Sequence, residues 1–374
     1  MADGEVGARD RVAALLALAE LPGIGAARIR ALVAAFGDAC RAIRAPHGAI
    51  ARLPGFSDAG AAAVRGVSLE RGRAVLDGLD RLGARVLEPP DPEFPELLRE
   101  ISDPPPVLFS WGDASVLARR AVAIVGSRDH TPYGAEAARM LAGGVARAGV
   151  VVVSGMARGI DAVAHGAALD AGGTSVGVLG NGFGVIYPPV NRALYERMVG
   201  AGCLLTEFAP GERPHGGSFP RRNRLISGLA MVTVVVEAGL PSGAVTTADR
   251  ALEQGRTVLA VPGPITSPTS AGCNRLIQQG AKPALSVGDV LEELGLPRPP
   301  EEGGGAAARA RVNLGELSPL QRVLWDALLA EPRHVDALVA ATGTDAAGVL
   351  TALTDLELKG MVAQRPGMVF GVAS

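Results

Sequence analysis

The segment from Phe219 to Ser227 is the densest group of basic residues in a chain whose formal net charge is only −2. It reads Phe-Pro-Arg-Arg-Asn-Arg-Leu-Ile-Ser, so Arg221, Arg222 and Arg224 fall within four positions. A guanidinium group presents a planar fork of donors that matches phosphate oxygens, and it also stacks on nucleobases. Apolar residues follow and predict a helix, which places the arginines where the helix dipole favours anions. The pattern therefore predicts a polyanion site.

An alternative interpretation keeps these charges inside the protein. Arg222 or Arg224 would then pair with Glu207 or Glu237, each of which follows an apolar stretch. Because a buried charge needs a partner, such a pair would serve the fold and would not meet a ligand.

Glycine-rich loops follow three of the apolar runs that we predict to be strands. The first is Gly126-Ser-Arg128, the second runs from Ser154 to Asp161 as Ser-Gly-Met-Ala-Arg-Gly-Ile-Asp, and the third is Gly180-Asn-Gly-Phe-Gly184. In open α/β sheets the carboxyl ends of parallel strands meet at one edge, and ligands bind there. Three such loops on one edge favour a nucleotide or polyanion site over three unrelated tight turns.

Aromatic side chains near these loops suit single-stranded nucleic acid. Phe183, Tyr187 and Phe219 are expected to stack on unpaired bases, a contact that tolerates any base sequence. His165 lies between small residues and is expected to be buried and hydrogen-bonded, and Asp161 is expected to hold its own loop. No pattern in the sequence predicts a catalytic group, a metal site or a cofactor.

Apolar runs separated by helical stretches form the middle of the chain, residues 76–296. Runs rich in Val, Ile and Leu are typical of parallel strands buried on both faces. The helical stretches between them predict βαβ crossovers. We therefore expect an α/β fold with a Rossmann-like, doubly wound and mostly parallel sheet. The predicted strands are Ala121–Val125, Val150–Ser154, Thr174–Leu179, Cys203–Thr206, Met231–Glu237 and Thr257–Val261.

A small helical domain is predicted over residues 1–75. It contains two similar pieces, Leu21–Leu32 and Leu53–Val64, which both begin Leu-Pro-Gly and open a helix. They are similar to a helix-hairpin-helix or SAM-like pair, whose glycine turn presents N–H groups to a phosphate. The second piece has Ser57 where the first has Gly25, and a purely structural helical module is the alternative.

Three further regions are predicted around the core. Residues 84–113 are rich in proline and predict an extended connection with a short strand at Val107–Ser110. Residues 297–313 lack apolar periodicity and predict a flexible linker, and residues 314–374 predict a winged helix. The winged helix is expected to have helices at Ser318–Leu329, His334–Thr342 and Asp345–Lys359, an N-cap at Thr344 and a wing at Met361–Val372.

Composition excludes several classes of protein. The 374 residues are 48% hydrophobic and 20% charged, which is typical of a globular protein. No apolar run reaches the roughly 18 residues of a membrane span, and no signal-peptide pattern is present, so we expect a cytoplasmic protein. Cys40, Cys203 and Cys273 lie far apart, which predicts neither disulfides nor a zinc site. All but two of the 36 basic residues are arginines, a bias that by itself predicts nothing.

Taken together and in this order, the motifs of the core resemble the DNA-processing protein A family, also called DprA or Smf. The resemblance covers residues 85–290 and rests first on the loops and the arginine segment quoted above. It continues through Tyr187-Pro with Asn191, Val235-Val-Glu-Ala238, Ser242-Gly243, Thr247-Ala248, Gly255-Arg256, Ala260-Val-Pro-Gly263, Gly272-Cys-Asn-Arg-Leu-Ile277 and Gly280-Ala281.

The resemblance implies a function that the residues alone do not. Members of this family bind single-stranded DNA, protect it and help to load RecA recombinase onto it during natural transformation. They form homodimers through the core domain, and no catalytic activity is ascribed to them. The matching DNA-contact residues in this chain are Ser127, Arg128, Ser154, Gly155, Arg158, Gly159, Phe219, Arg221, Arg222, Asn223 and Arg224.

Two other functions are compatible with parts of the sequence. Nucleotide phosphoribohydrolases, whose Rossmann-like core is similar, use a Pro-Gly-Gly-x-Gly-Thr-x-x-Glu loop, and the corresponding stretch Pro241–Asp249 lacks its glutamate. A regulator of double-stranded DNA would use the winged helix. Its presumed recognition helix carries three acidic residues against one lysine, and because acidic residues repel phosphate, a protein contact is expected there instead.

Overall fold

The core is a nine-stranded sheet within the residues that the structure describes. This structure is a computed structural model, and it describes residues 7–298, 317–359, 361–365 and 367–372. The strands are β1 (Arg85–Leu87), β2 (Leu108–Gly112), β3 (Ala121–Val125), β4 (Val151–Ser154), β5 (Ser175–Val178), β6 (Cys203–Thr206), β7 (Val232–Val235), β8 (Thr257–Ala260) and β9 (Lys282–Pro283). They lie in the order β1-β2-β6-β5-β4-β3-β7-β8-β9, parallel from β6 to β9, with β1 and β2 antiparallel.

Helices precede the sheet and cover both of its faces. In chain order they are α1 (Ala8–Ala19), α2 (Ala26–Phe36), α3 (Ala39–Arg44), α4 (His47–Ala51), α5 (Asp58–Arg65), α6 (Leu69–Leu82), α7 (Glu96–Arg99), α8 (Pro132–Arg147), α9 (Ile160–Asp170), α10 (Arg192–Ala201), α11 (Ser218–Gly228), α12 (Gly243–Glu253), α13 (Ala271–Gln278) and α14 (Val287–Glu293). The predicted α/β fold with its mostly parallel sheet is confirmed, and each predicted core strand is present within two residues of its predicted ends.

Strand β3 shows why the apolar runs are continuous. Its residues Ala121, Ala123 and Val125 join one apolar cluster with α11 and α12. Its residues Val122 and Ile124 join a second cluster with α8, α9 and α14 on the opposite face. Successive side chains of a strand point to opposite faces, so a strand covered by helices on both sides needs apolar residues at every position.

The order of strands reverses between β3 and β7. From β3 the chain continues to β4, β5 and β6 on one side, and it returns to place β7, β8 and β9 on the other. In doubly wound sheets the crevice at this reversal, outside the carboxyl ends of the strands, is where ligands bind. The reversal brings the loop after β3 beside the loop after β7, and the Ser127 N–H donates to the Glu237 carbonyl oxygen at 2.6 Å.

The N-terminal helices pack directly on the core. Leu16 of α1 belongs to the same apolar cluster as Phe109 of β2, and both lie in the unit Met1–Pro297. Each Leu-Pro-Gly piece forms a turn between two helices, with Gly23 at φ +77° and Gly55 at φ +82°. Helix α6 runs unbroken across residue 75, where the sequence predicted the end of the helical domain.

The second unit, Arg298–Ser374, has the predicted winged-helix arrangement. Its elements are α15 (Pro319–Ala330), β10 (Arg333–His334), α16 (Val335–Thr342), α17 (Ala346–Leu358), β11 (Val362–Arg365) and β12 (Val369–Val372), and its strands pair in the order β10-β12-β11. The N-cap of α17 is Asp345, whose carboxylate accepts from the Gly348 N–H at 3.3 Å, and not Thr344 as predicted. The predicted linker at 297–313 lies outside the described residues, apart from 297 and 298.

No single helix of the described residues is both long enough and apolar enough to span a membrane. The winged-helix elements α16 and α17 reach that length and apolarity only as a pair, and the pair is bent by 111°.

Candidate nucleic-acid interface

The arginine segment begins helix α11 at the carboxyl edge of the sheet, as the sequence predicted. The helix runs from Ser218 to Gly228, so its first turns carry Phe219 and all three arginines. The arginines do not share one environment. The side chain of Arg221 is 53% exposed, that of Arg224 is 11% exposed, and Arg222 is buried.

Arg224 forms an internal ion pair. Its Nη2 atom lies 2.6 Å from both carboxylate oxygens of Glu207, whose side chain is 1% exposed. Its Nη1 atom donates to the Asp103 carbonyl oxygen at 2.7 Å. For Arg224, therefore, the structure agrees with the alternative in which the arginine pairs with a glutamate inside the protein. Its charge and its donors are used within the fold.

Arg222 ties two loops together from inside. Its Nη1 atom donates to the carbonyl oxygens of Gly155 (2.6 Å) and Val178, and its Nε atom donates to Asn223 Oδ1 at 3.2 Å. Burial lowers the pKa of the Arg222 guanidinium, and the neighbouring Asp161 carboxylate opposes that shift. The buried charge thus holds the ends of β4 and β5 in register.

Asp161 completes this arrangement from helix α9. Its Oδ2 atom accepts the N–H groups of Gly155 at 3.1 Å and Ala157 at 3.3 Å, the loop-holding role that the sequence predicted. Burial raises the pKa of Asp161, and Arg222 counteracts this effect. A Cβ atom at Gly155 would lie 2.7 Å from Asp161 Oδ2 and 2.8 Å from the Arg222 guanidinium, so only glycine fits between the pair.

The hydroxyl groups of the loops also serve the fold. Ser154 is buried and donates to the Ile124 carbonyl oxygen at 2.6 Å, and Ser127 Oγ donates to the Asp129 carbonyl oxygen at 3.0 Å. Gly159 has φ +80°, and a Cβ atom there would lie 2.2 Å from the Ser127 carbonyl oxygen. These contacts press the loops after β3 and β4 against each other.

The side chains that remain at the surface combine charge with aromatic rings. The Arg128 guanidinium carbon lies 5.5 Å from the centroid of the Phe219 ring, and the Tyr187 and Phe219 ring centroids are 5.7 Å apart. Arg158 is exposed and lies 3.5 Å from the exposed Asp129 carboxylate. No described residue accepts a hydrogen bond from the Arg128 guanidinium, so its donors face solvent.

These side chains line two neighbouring depressions. The smaller, which we term the base pocket, has a volume of about 140 Å³ and is lined by Arg128, Arg158, Tyr187, Phe219 and other residues of the loops after β4 and β5. The larger, which we term the switch groove, has a volume of about 770 Å³ and follows the crevice between β3 and β7. Arg128 and Phe219 line both, so they form the ridge between the two.

One predicted aromatic contact is wrong. Phe183 is only 2% exposed and packs edge-on against Trp111, with ring centroids 5.7 Å apart, so it cannot stack on a base. A contact that was not predicted involves Phe208, whose ring centroid lies 5.1 Å from the Arg221 guanidinium carbon. Its place directly after the buried Glu207 gave no signal of this contact, because β6 and α11 are adjacent only in the fold.

His165 is buried and hydrogen-bonded, as predicted. Its Nδ1 atom lies 2.7 Å from Ser175 Oγ, whose own proton goes to the Val152 carbonyl oxygen, so Nδ1 carries the imidazole proton. Its Nε2 atom accepts from the Met156 N–H at 3.4 Å. Burial, together with the nearby positive charge of Arg222, lowers the pKa of His165 to about 3. Within the described part of the chain no three potential ligand side chains gather as a metal site.

Stability is expected to fall as the pH is lowered from 7 to 5. His165 takes up a proton at pH about 6.5 when unfolded but only at about 3 when folded, so protons favour unfolding between these values. The free energy of unfolding should drop by up to about 1.4 kcal/mol per pH unit from this group. Urea unfolding at pH 7, 6 and 5 should show a shallower slope for His165→Asn and an unchanged slope for the exposed control His130→Asn. Equal slopes for wild type and His165→Asn would contradict the assignment.

Comparisons with known proteins agree with this fold. Residues 85–295 match the family model described as DNA recombination-mediator protein A, and residues 308–368 match the DprA winged helix domain. Protein Smf of Escherichia coli is 41% identical over 288 residues, which cover 75% of this chain and 76% of that protein.

Two solved structures are also similar. The X-ray structure of DNA processing protein A from Streptococcus pneumoniae has a TM-score of 0.62 at 33% identity and covers 76% of this chain and 95% of that one. A structure of DNA processing protein A from Helicobacter pylori, whose title concerns its single-stranded DNA binding mode, has a TM-score of 0.52 at 29% identity, covering 56% and 95%. With more than half of its length matched by the family model, the chain belongs to the DNA recombination-mediator protein A (DprA) family.

Proposed function

We propose that the protein binds single-stranded DNA through the base pocket and the ridge of Arg128 and Phe219. The observation that carries the proposal is the Arg128 guanidinium, held on the Phe219 ring with its donors free, beside the exposed Tyr187 ring. Rings of this kind stack on bases of any sequence, and the guanidinium contacts phosphate. The single-stranded DNA binding mode reported for the Helicobacter pylori protein supports the same function here.

The size of the base pocket favours single strands. At about 140 Å³ it has room for one base turned out of its stack, not for a base pair. In a duplex each base is paired and stacked, and taking it out costs a few kcal/mol, whereas a single strand has no pair to break. Preference for single strands then follows from the shape of the pocket.

We assign the predicted contact residues two roles. Arg128, Arg158, Phe219 and Arg221 are exposed or half-buried and contact DNA, whereas Gly155 and Gly159 allow the loops behind them to pack closely. The remaining five act by positioning, because their polar atoms are bonded within the fold; they are Ser127, Ser154, Arg222, Asn223 and Arg224.

We propose that binding is not accompanied by catalysis. The stretch Pro241–Asp249, which corresponds to the phosphoribohydrolase loop, begins helix α12 with Ser242 as its N-cap. Asp249, at the place of the missing glutamate, is exposed and is not among the residues lining the switch groove. Release of free base from nucleoside monophosphates by the purified protein would overturn this proposal.

Arg128→Ala should weaken binding to homopolymeric single strands roughly tenfold while leaving the melting temperature unchanged. Losing one phosphate contact should also reduce the slope of log K against log salt concentration by about 0.7, the value for single strands. The matched control is Arg120→Ala, an exposed arginine at the opposite end of the same strand β3. Fluorescence anisotropy at two salt concentrations measures both quantities.

Two results would contradict the function. One is equal affinity of the wild-type protein for single-stranded and double-stranded DNA. The other is wild-type affinity in Arg128→Ala, since the ridge would then not touch the strand.

We infer that bound strands are passed to RecA recombinase in the cytoplasm. Membership of a family described as recombination mediators supports this role. On single strands coated with single-strand-binding protein, the wild-type protein should shorten the lag before RecA hydrolyses ATP, and Arg128→Ala should not. An unchanged lag with wild-type protein would refute the inference.

We further propose a homodimer formed through the core at the sheet edge of β9. Leu285, two residues after β9, is 65% exposed. An exposed leucine beside an open strand edge suits burial against a second copy. Leu285→Glu should sediment as a monomer while the control Met140→Glu, on α8, sediments like the dimeric wild type. A monomeric wild-type protein would exclude the dimer.

A further inference from the structure

Two arginine-on-phenylalanine pairs flank the first turn of α11. Arg128 on Phe219 faces the base pocket, and Arg221 on Phe208 faces a separate cavity of about 460 Å³ on the other side of the helix. In both pairs the ring holds the guanidinium without using its N–H donors. Because the two pairs have the same arrangement, both can contact the same kind of ligand.

This second cavity, which we term the hinge cavity, lies between the N-terminal helices and the core. Ile24 and Ile29 line it from the first helical hairpin, and Val107, Phe109 and Phe208 line it from the core. Apolar residues from both sides therefore line it together with carboxylates and arginines, and its volume exceeds that of the base pocket. It can hold a nucleobase.

The charges around the hinge cavity favour an uncharged base inside it and a phosphate outside it. Glu207 is neutralised by Arg224 at 2.6 Å, and Glu20 pairs with Arg71 at 2.7 Å. The Glu212 carboxylate, by contrast, has no hydrogen-bond or ion-pair partner among the described residues. An anion inside would meet this unpaired carboxylate, so a phosphate is disfavoured there.

Arg221 supplies the phosphate contact at the edge of the cavity. It is half exposed, and its Nε atom lies 3.6 Å from a Glu207 oxygen that Arg224 already holds at 2.6 Å. Its charge is therefore only weakly compensated. A nucleotide fits with its base inside the cavity and its phosphate at Arg221.

We propose that the hinge cavity is a second nucleotide subsite for the same DNA strand, with the first helical hairpin as one of its walls. The proposal rests on the proposed single-stranded DNA binding and extends it to the N-terminal helices. Phe219 and Arg221 are two residues apart on α11 and face opposite sides of the helix, so a strand that leaves the base pocket crosses this turn to reach Arg221. The subsite stacks a base on the outer face of the Arg221 guanidinium.

The test fills the hinge cavity without touching the base pocket. Gly25 lines the cavity, has φ −81° and would place a Cβ atom in open space, so Gly25→Trp puts a ring into the cavity. Gly48→Trp is the matched control, because Gly48 lies in the same group of helices, is exposed, has equally open space and does not line the cavity. Both proteins are compared by melting temperature before binding is measured.

Oligonucleotides of two lengths separate the subsites. A strand of about four nucleotides, the lower end of single-strand sites, fills the base pocket alone, and one of about ten reaches both. Gly25→Trp should lower the affinity for the longer strand on the order of fivefold to a hundredfold, which is the range for one stacked base. The affinity for the shorter strand should stay unchanged. Gly48→Trp should match the wild type at both lengths.

Each outcome distinguishes this proposal from the proposed function. If Gly25→Trp binds both lengths like the wild type while Arg128→Ala weakens both, the second subsite is refuted and single-stranded binding stands. If the wild type binds neither length, both proposals fail. Should Gly25→Trp unfold, the smaller side chain of Gly25→Leu provides the second measurement: it must weaken binding of the longer strand only, and unchanged binding or an equal change at both lengths refutes the subsite.

Discussion

A buried pair of opposite charges determines the shape of the candidate site. Arg222 and Asp161 lie on either side of Gly155, one bound to its carbonyl oxygen and the other to its N–H group. Burial disfavours the charged form of both groups, and each favours the charged form of the other. The pair also reaches the end of β5 through Val178, so the carboxyl edge of the sheet depends on it.

Because of this arrangement, the arginines of the site have two different roles. Inward-facing guanidinium groups donate hydrogen bonds to carbonyl oxygens and carboxylates. These hydrogen bonds make the loops rigid. Outward-facing groups, Arg128 and Arg221, rest on aromatic rings that hold them in place while their donors stay free. A rigid frame with pre-positioned cations loses little conformational entropy on binding a flexible polyanion. The same cluster of charge therefore serves the fold and also leaves two cations at the surface, where the proposed ligand would bind.

The winged helix differs from this site in its charge. Helix α17 has no basic residue between Ala346 and Leu358, and Asp345 caps its N-terminus. A carboxylate at that end opposes the partial positive charge that would otherwise attract phosphate. The nucleic-acid contacts proposed for this protein accordingly lie in the first unit, and the charge of α17 favours a protein partner for the second.

The sequence by itself determined the class of fold and the location of the site. Apolar runs at every position of β3 to β8 predicted buried parallel strands, because helices on both faces require apolar residues on both faces. The arginine segment and the glycine loops predicted where an anion would bind, since strand ends on one edge must converge. Charge and glycine content are local properties, and these inferences needed only local information.

Only the tertiary structure decided which residues face the ligand. Arg221, Arg222 and Arg224 are equivalent in the sequence, yet Arg221 is exposed, Arg224 is partly buried and Arg222 is buried. The reason is that the partners Gly155, Val178 and Glu207 come from other strands of the sheet or from the loops after them. Phe183 turned inward for the same reason, since Trp111 from the antiparallel strand β2 covers it. The direction of a side chain depends on which distant segment packs beside it, and that information exists only once the chain has folded.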